Sequence, residues 1–151
     1  MKKTYFILLL IAMTTIISSC SDDEGGGKQK PIPDMEVHLY VNTSLAPLKN
    51  TYGIVSYPSS EYEKVGYGGV LVINGEPAGS VVLYAYDLAC PVEANENIRV
   101  VELKDELGKV KCEHCGMVFS IADGEGKSDS NSKYSLKKYQ TQKNLITNPN
   151  Y

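Results

Sequence analysis

The chain has 151 residues, enough for one domain and too few for a large multidomain enzyme. Its 18 acidic and 15 basic residues give a net charge of -3, and an acidic chain is a poor partner for nucleic acid. Beyond the amino end no stretch reaches the roughly 18 continuous apolar residues that a spanning helix needs, so membrane attachment is expected at the amino end or not at all.

Residues 1–19 open with Lys2 and Lys3, run through an apolar segment over residues 5–17, and close on Ser18 and Ser19 before Cys20. A basic start, a short apolar core and small residues at the end are the parts of a secretory signal peptide. Its removal leaves 13 basic against 18 acidic residues, a net charge of -5. Ile17-Ser18-Ser19-Cys20 also resembles the lipobox of bacterial lipoproteins, which implies acylation of Cys20; the plain alternative is secretion with Cys20 as a free thiol. Several acyl chains, each buried methylene worth about 0.8 kcal/mol, would hold the protein on the membrane permanently. Residues 20–34 are acidic, then glycine-rich, then carry Pro31 and Pro33, the composition of a flexible tether. Ser21-Asp22-Asp23-Glu24 resembles an acidic export tag of cell-surface lipoproteins, and Ser21 beside the cysteine resembles an outer-membrane sorting signal. A solvated charge run in a tether explains the same residues, so the face of the membrane stays open. The expectation is a Sec-exported lipoprotein of the outer membrane or cell surface, with the membrane as its first partner.

Residues 35–151 read as the folded domain. Met35, Val37, Leu39 and Val41 alternate with Glu36, His38 and Tyr40, the period of two expected of a half-buried strand. Further short runs rich in β-branched and aromatic residues cover 52–57, 70–73, 81–86, 98–103, 110–112, 117–121 and 136–141. Turns are expected at Asn74-Gly75, Leu107-Gly108 and Asp123-Gly124, where glycine admits a positive φ. Residues 43–50 and 59–68 read as loops, with Gly66-Tyr67-Gly68-Gly69 a flexible turn. Many short strands at this spacing predict an all-β fold, an antiparallel sandwich or barrel. The eleven tyrosines are expected to be strand residues with one wet edge rather than a site.

With Cys20 given to lipid, Cys90, Cys112 and Cys115 remain. An odd count in an exported protein leaves one thiol free or gives all three to a metal or cluster. Cys112-Glu113-His114-Cys115-Gly116 is a C-x2-C knuckle, whose turn brings two sulfurs to one side while following amides bond to them. The same spacing suits a redox dithiol or a local disulfide.

Tyr84-Ala85-Tyr86-Asp87-Leu88-Ala89-Cys90-Pro91, about twenty residues containing a strand, then Cys112-x-x-Cys115-Gly116-x-x-Phe119 and Asp123-Gly124 together resemble the two cluster loops of Rieske iron-sulfur domains. Ser135-Leu136-Lys137-Lys138-Tyr139 resembles the segment that returns to their base fold, and residues 69–75 resemble their early hairpin. The similarity spans roughly residues 37–141 and is closest to exported Rieske-like lipoproteins. It implies a Rieske-like antiparallel β-sandwich or barrel with two hairpin loops carrying cysteines, and a redox partner in the periplasm or at the cell surface. It also departs from the pattern. Cys90 and Cys112 stand at the thiolate positions, but Val92 and Cys115 stand where a Rieske centre has its two imidazoles, so a standard centre is excluded.

Three outcomes are open for the site. Cys90, Cys112 and Cys115 with Glu93 or His114 could hold an altered 2Fe-2S cluster of lower potential, because anionic ligands replace imidazole. The same groups could hold one Zn²⁺. Or no metal is bound and Cys115 forms a disulfide with Cys90 or Cys112, leaving one thiol. His38 is expected to be merely exposed. No H-E-x-x-H, no phosphate-cradling glycine loop and no G-x-S-x-G elbow occurs, so the reading leans away from an enzyme. The leading expectation is a redox or electron-transfer accessory protein with a modified 2Fe-2S site; the alternative is a structural or binding module without iron.

Overall fold

A computed structural model describes residues 31–60, 65–75, 81–131 and 133–151. The expected signal peptide, Cys20 and most of the expected tether lie outside the described residues. Among these residues the chain is all-β: β1 (His38–Tyr40), β2 (Ile54–Pro58), β3 (Gly69–Asn74), β4 (Leu83–Asp87), β5 (Val100–Glu102), β6 (Lys109–Cys112), β7 (Val118–Ser120), β8 (Lys138–Gln142) and β9 (Leu145–Thr147), with one 3-10 turn at Pro47–Lys49. Every pairing is antiparallel. Six strands form one sheet in the order β1-β9-β8-β4-β3-β2, and β5-β6-β7 form a second.

The strand β3 explains how the layers stack. Its apolar run Val70-Leu71-Val72-Ile73 is buried on both faces, which is why it reads as continuous rather than alternating. Leu71 and Ile73 point to one side with Tyr86, where they meet Val100, Val110, Phe119 and Ile121 of the small sheet and its flanks. Val70 and Val72 point to the other side with Leu83 and Ala85, where Val37, Val41, Leu48, Tyr139 and Ile146 cover them. The large sheet therefore curls its β1-β9-β8 end over its own second face into a half-barrel, while the small sheet caps the first. Fully burying one such aliphatic or aromatic side chain contributes roughly 1.5–3 kcal/mol.

All eight expected strand runs contain a strand. In the first, Val37 and Val41 are buried while Glu36, His38 and Tyr40 are exposed, as the alternation requires. The ninth, β9, went unread, and residues 43–50 contain the 3-10 turn that buries Leu48. Asn74-Gly75 is not a tight two-residue turn. The hairpin ladder continues past it, with the Gly75 amide donating to the Val82 carbonyl at 2.8 Å. Asn74 is wholly buried, and its side-chain amide donates to the Leu48 carbonyl at 3.1 Å, tying the 3-10 turn to the sheet. Gly108 and Gly124 do take positive φ, +73° and +80°.

Candidate metal centre

Two loops meet at one end of the small sheet. The first runs from the end of β4 to β5. It begins when the wholly buried Asp87 carboxylate accepts the amides of Tyr67 and Gly68, each at 2.9 Å, the Ala89 amide at 2.7 Å and the Tyr139 hydroxyl. Four donors on one buried carboxylate meet the requirement that a buried charge be hydrogen-bonded. Gly68 is obligatory by proximity, since a Cβ there would stand 2.5 Å from the Ala89 nitrogen and 2.9 Å from its Cα. The expected flexible turn at residues 66–69 is in fact a packed bracket that fixes the residues just before Cys90. Beyond Cys90 the loop closes on itself, with the Cys90 amide donating to Ile98 at 2.9 Å and the Ala94 amide donating back to Cys90 at 2.8 Å. Closure puts Ala94 at φ +49°.

The second loop joins β6 to β7. Cys112 is the last residue of β6, its amide donates to the Met117 carbonyl at 2.9 Å, and the Gly116 amide donates to the Cys112 carbonyl at 2.9 Å. This folds Cys112 to Met117 into a tight knuckle. Gly116 sits at φ +75° with nothing within 4 Å of where a Cβ would be, so backbone conformation rather than space demands the glycine.

The three sulfurs converge. Cys90, Cys112 and Cys115 offer Sγ atoms that all lie within 4.8 Å of one another, and the Cys90–Cys115 separation is 3.7 Å. All three are thiols, since no pair approaches the roughly 2.05 Å of a disulfide. Cys90 and Cys112 are buried at 0% exposure, whereas Cys115 is exposed. Burial pushes the Cys90 thiol up to about 12, opposed by the amides of Glu93 and Val92 that bond to its sulfur. Burial also raises Cys115, against the Met117 amide. Amides aimed at sulfur are what a thiolate needs when a cation is present.

Glu93 and His114 are not among the converging ligands. His114 Nδ1 instead pairs with Glu93 Oε1 at 2.9 Å, bridging the two loops beside the sulfurs, with the imidazole 63% exposed. Val92, at the place of an imidazole in the resemblance, packs against the core. His38 lies on β1 in edge contact with Tyr40, apart from the cysteine group. The Asp87 bracket is the part of the site that sequence reasoning missed. A cleft of about 400 Å³ is lined by Tyr67, Glu96 and Arg99 among others, but none of the cysteines lines it. Every buried side-chain nitrogen and oxygen among the described residues has a hydrogen-bond partner. Among the described residues, the sulfur triangle is the one group of three or more ligating side chains close enough to share a metal ion.

No protein-family model, no curated protein and no solved structure matches the chain.

Proposed function

We propose that the domain is a metal-binding module in which Cys90, Cys112 and Cys115 hold one transition-metal ion, most simply Zn²⁺, that clamps the two loops together. The observation that carries this reading is the compactness of the sulfur triangle. With metal–sulfur bonds of about 2.3 Å, the edge of a tetrahedral thiolate site is about 3.8 Å, against 3.7 Å between Cys90 and Cys115. The three sulfurs all lie within 4.8 Å of one another, at most about 1 Å beyond that edge, so they can close onto one ion as a face of the tetrahedron. The fourth vertex is left to water, to another ligand, or to His114 or Glu93 after they part. In the Rieske arrangement each iron of the cluster takes two protein ligands, so a third thiolate must sit on the far iron, away from the other two. The three-sulfur triangle favours one ion over that arrangement.

A second reading keeps the altered 2Fe-2S cluster and the electron-transfer role, in a Rieske-like fold with a redox partner outside the cytoplasm. The connectivity favours it: Cys90 lies in the loop leaving β4, and the knuckle joins strands of a separate small sheet. In either reading, export and lipid anchoring at Cys20, as the sequence leads one to expect, would put the module on a membrane surface.

Metal analysis of the full chain, purified anaerobically in detergent, separates the two. One ion per chain and no visible absorption is the result expected; a brown protein with two irons and acid-labile sulfide supports the cluster. A reduced chain that takes up neither zinc nor iron contradicts both.

A further inference from the structure

The three thiols differ sharply in access. Cys90 and Cys112 have no exposed surface, while Cys115 is exposed at the tip of a knuckle whose Glu113, His114 and Gly116 are exposed as well. A reagent arriving from solvent therefore meets the Cys115 sulfur first. Directly behind it, 3.7 Å away, stands Cys90. A disulfide needs its sulfurs at roughly 2.05 Å. Cys115 lies between strands, since β6 ends at Cys112 and β7 begins at Val118, so drawing its sulfur onto Cys90 displaces no residue of the β6–β7 ladder.

We infer that Cys115 is a site of thiol–disulfide exchange with small disulfides, joined by Cys90 as its resolving partner, and that this exchange empties the metal site. The inference rests on the single-ion reading above. The Cys115 sulfur attacks a small disulfide R–S–S–R, forming a mixed disulfide and expelling one RS⁻. The Cys90 sulfur then attacks the Cys115 sulfur and expels the second RS⁻. Two protein thiolates surrender two electrons, and R–S–S–R takes them to leave as two thiolates. In the metal-free protein the two thiol protons go with those leaving groups; in the loaded protein the ion is released instead. Cys112 is left as a single buried ligand, too few to retain the ion. The covalent link spans the same two loops that the ion had clamped, so the fold persists while the metal is lost.

Oxidised glutathione added to the reduced, zinc-loaded full chain tests this, with released zinc followed by a chromophoric chelator and cross-links located by peptide mass mapping that separates Cys20. Zinc release in step with a Cys90–Cys115 link, Cys112 remaining alkylatable, is the expected result. Retention of zinc, or a Cys112–Cys115 link, overturns the inference. A brief iodoacetamide pulse on the folded, reduced, metal-free wild type gives a check free of any variant: Cys115 should label about tenfold or more ahead of Cys90 and Cys112. Equal labelling contradicts it. Failure of the reduced chain to take up zinc overturns the metal reading and the gating with it, while the Cys90–Cys115 link alone still reads the exchange. Zinc held firmly with no such link removes the exchange and leaves the metal reading in place.

Discussion

Asp87 carries more of the site than its place in the sequence suggests, because its carboxylate holds Tyr67, Gly68 and Ala89 by their amides and Tyr139 by its hydroxyl. Tyr139→Phe removes one donor from a buried acceptor and should cost about 1–3 kcal/mol in urea unfolding. Burial, reinforced by Asp87, holds the Tyr139 phenol well above its ordinary range, and burial does the same for Tyr86. A phenol whose pKa rises on folding contributes its stability in full below its unfolded value, about 10, and loses it as pH climbs beyond. Stability should therefore fall above about pH 10, and less steeply in Tyr139→Phe; a flat alkaline limb contradicts this. Ala94 offers the opposite test. Its φ of +49° is paid in strain, so Ala94→Gly should raise stability by a few tenths of a kcal/mol up to about 1 kcal/mol, offset in part by the entropy glycine restores to the unfolded chain. At this scale the cysteines were legible from their number and spacing. The bracket was not, because Asp87 bonds residues some twenty positions away and a glycine-rich stretch looks the same whether it is loose or packed.

The knuckle between β6 and β7 is the element on which the site turns. Gly116→Ala places a side chain at φ +75° without any clash, so its cost, about 1 kcal/mol, falls on the backbone turn alone. Weakened metal uptake with an unchanged core is expected, read by competition with a chelator; unchanged affinity would show that the turn does not set the sulfur positions. Elsewhere, alternation made residues 35–41 readable, and runs rich in β-branched and aromatic residues made the other seven strands so. The strand β9 escaped because Leu145 and Ile146 are only two apolar residues, and the turn before them uses Lys143 at φ +55° where a glycine would have signalled it. Ile146 is nevertheless wholly buried in the second core, and Ile146→Ala should cost about 2–5 kcal/mol. The Asn74-Gly75 pair misled for a related reason. The dipeptide that suits a tight turn also suits a buried amide whose partners, Leu48 and Asn50, lie far back in the chain.

On the scale of the whole molecule, the ion would add a link between the loop leaving the large sheet and the hairpin of the small one. Anything that binds only the folded state stabilises it by mass action, about 4 kcal/mol at a thousand times its dissociation constant. For a body of this size that raises Tm by on the order of 10 °C. Chelation of the loaded chain should reverse the shift, and Cys112→Ser should abolish it. X-ray absorption at the metal edge tests the central claim most directly. A single metal with three sulfur neighbours at about 2.3 Å and no second metal nearby is the result expected; metal–metal scattering, or a first shell without sulfur, contradicts it.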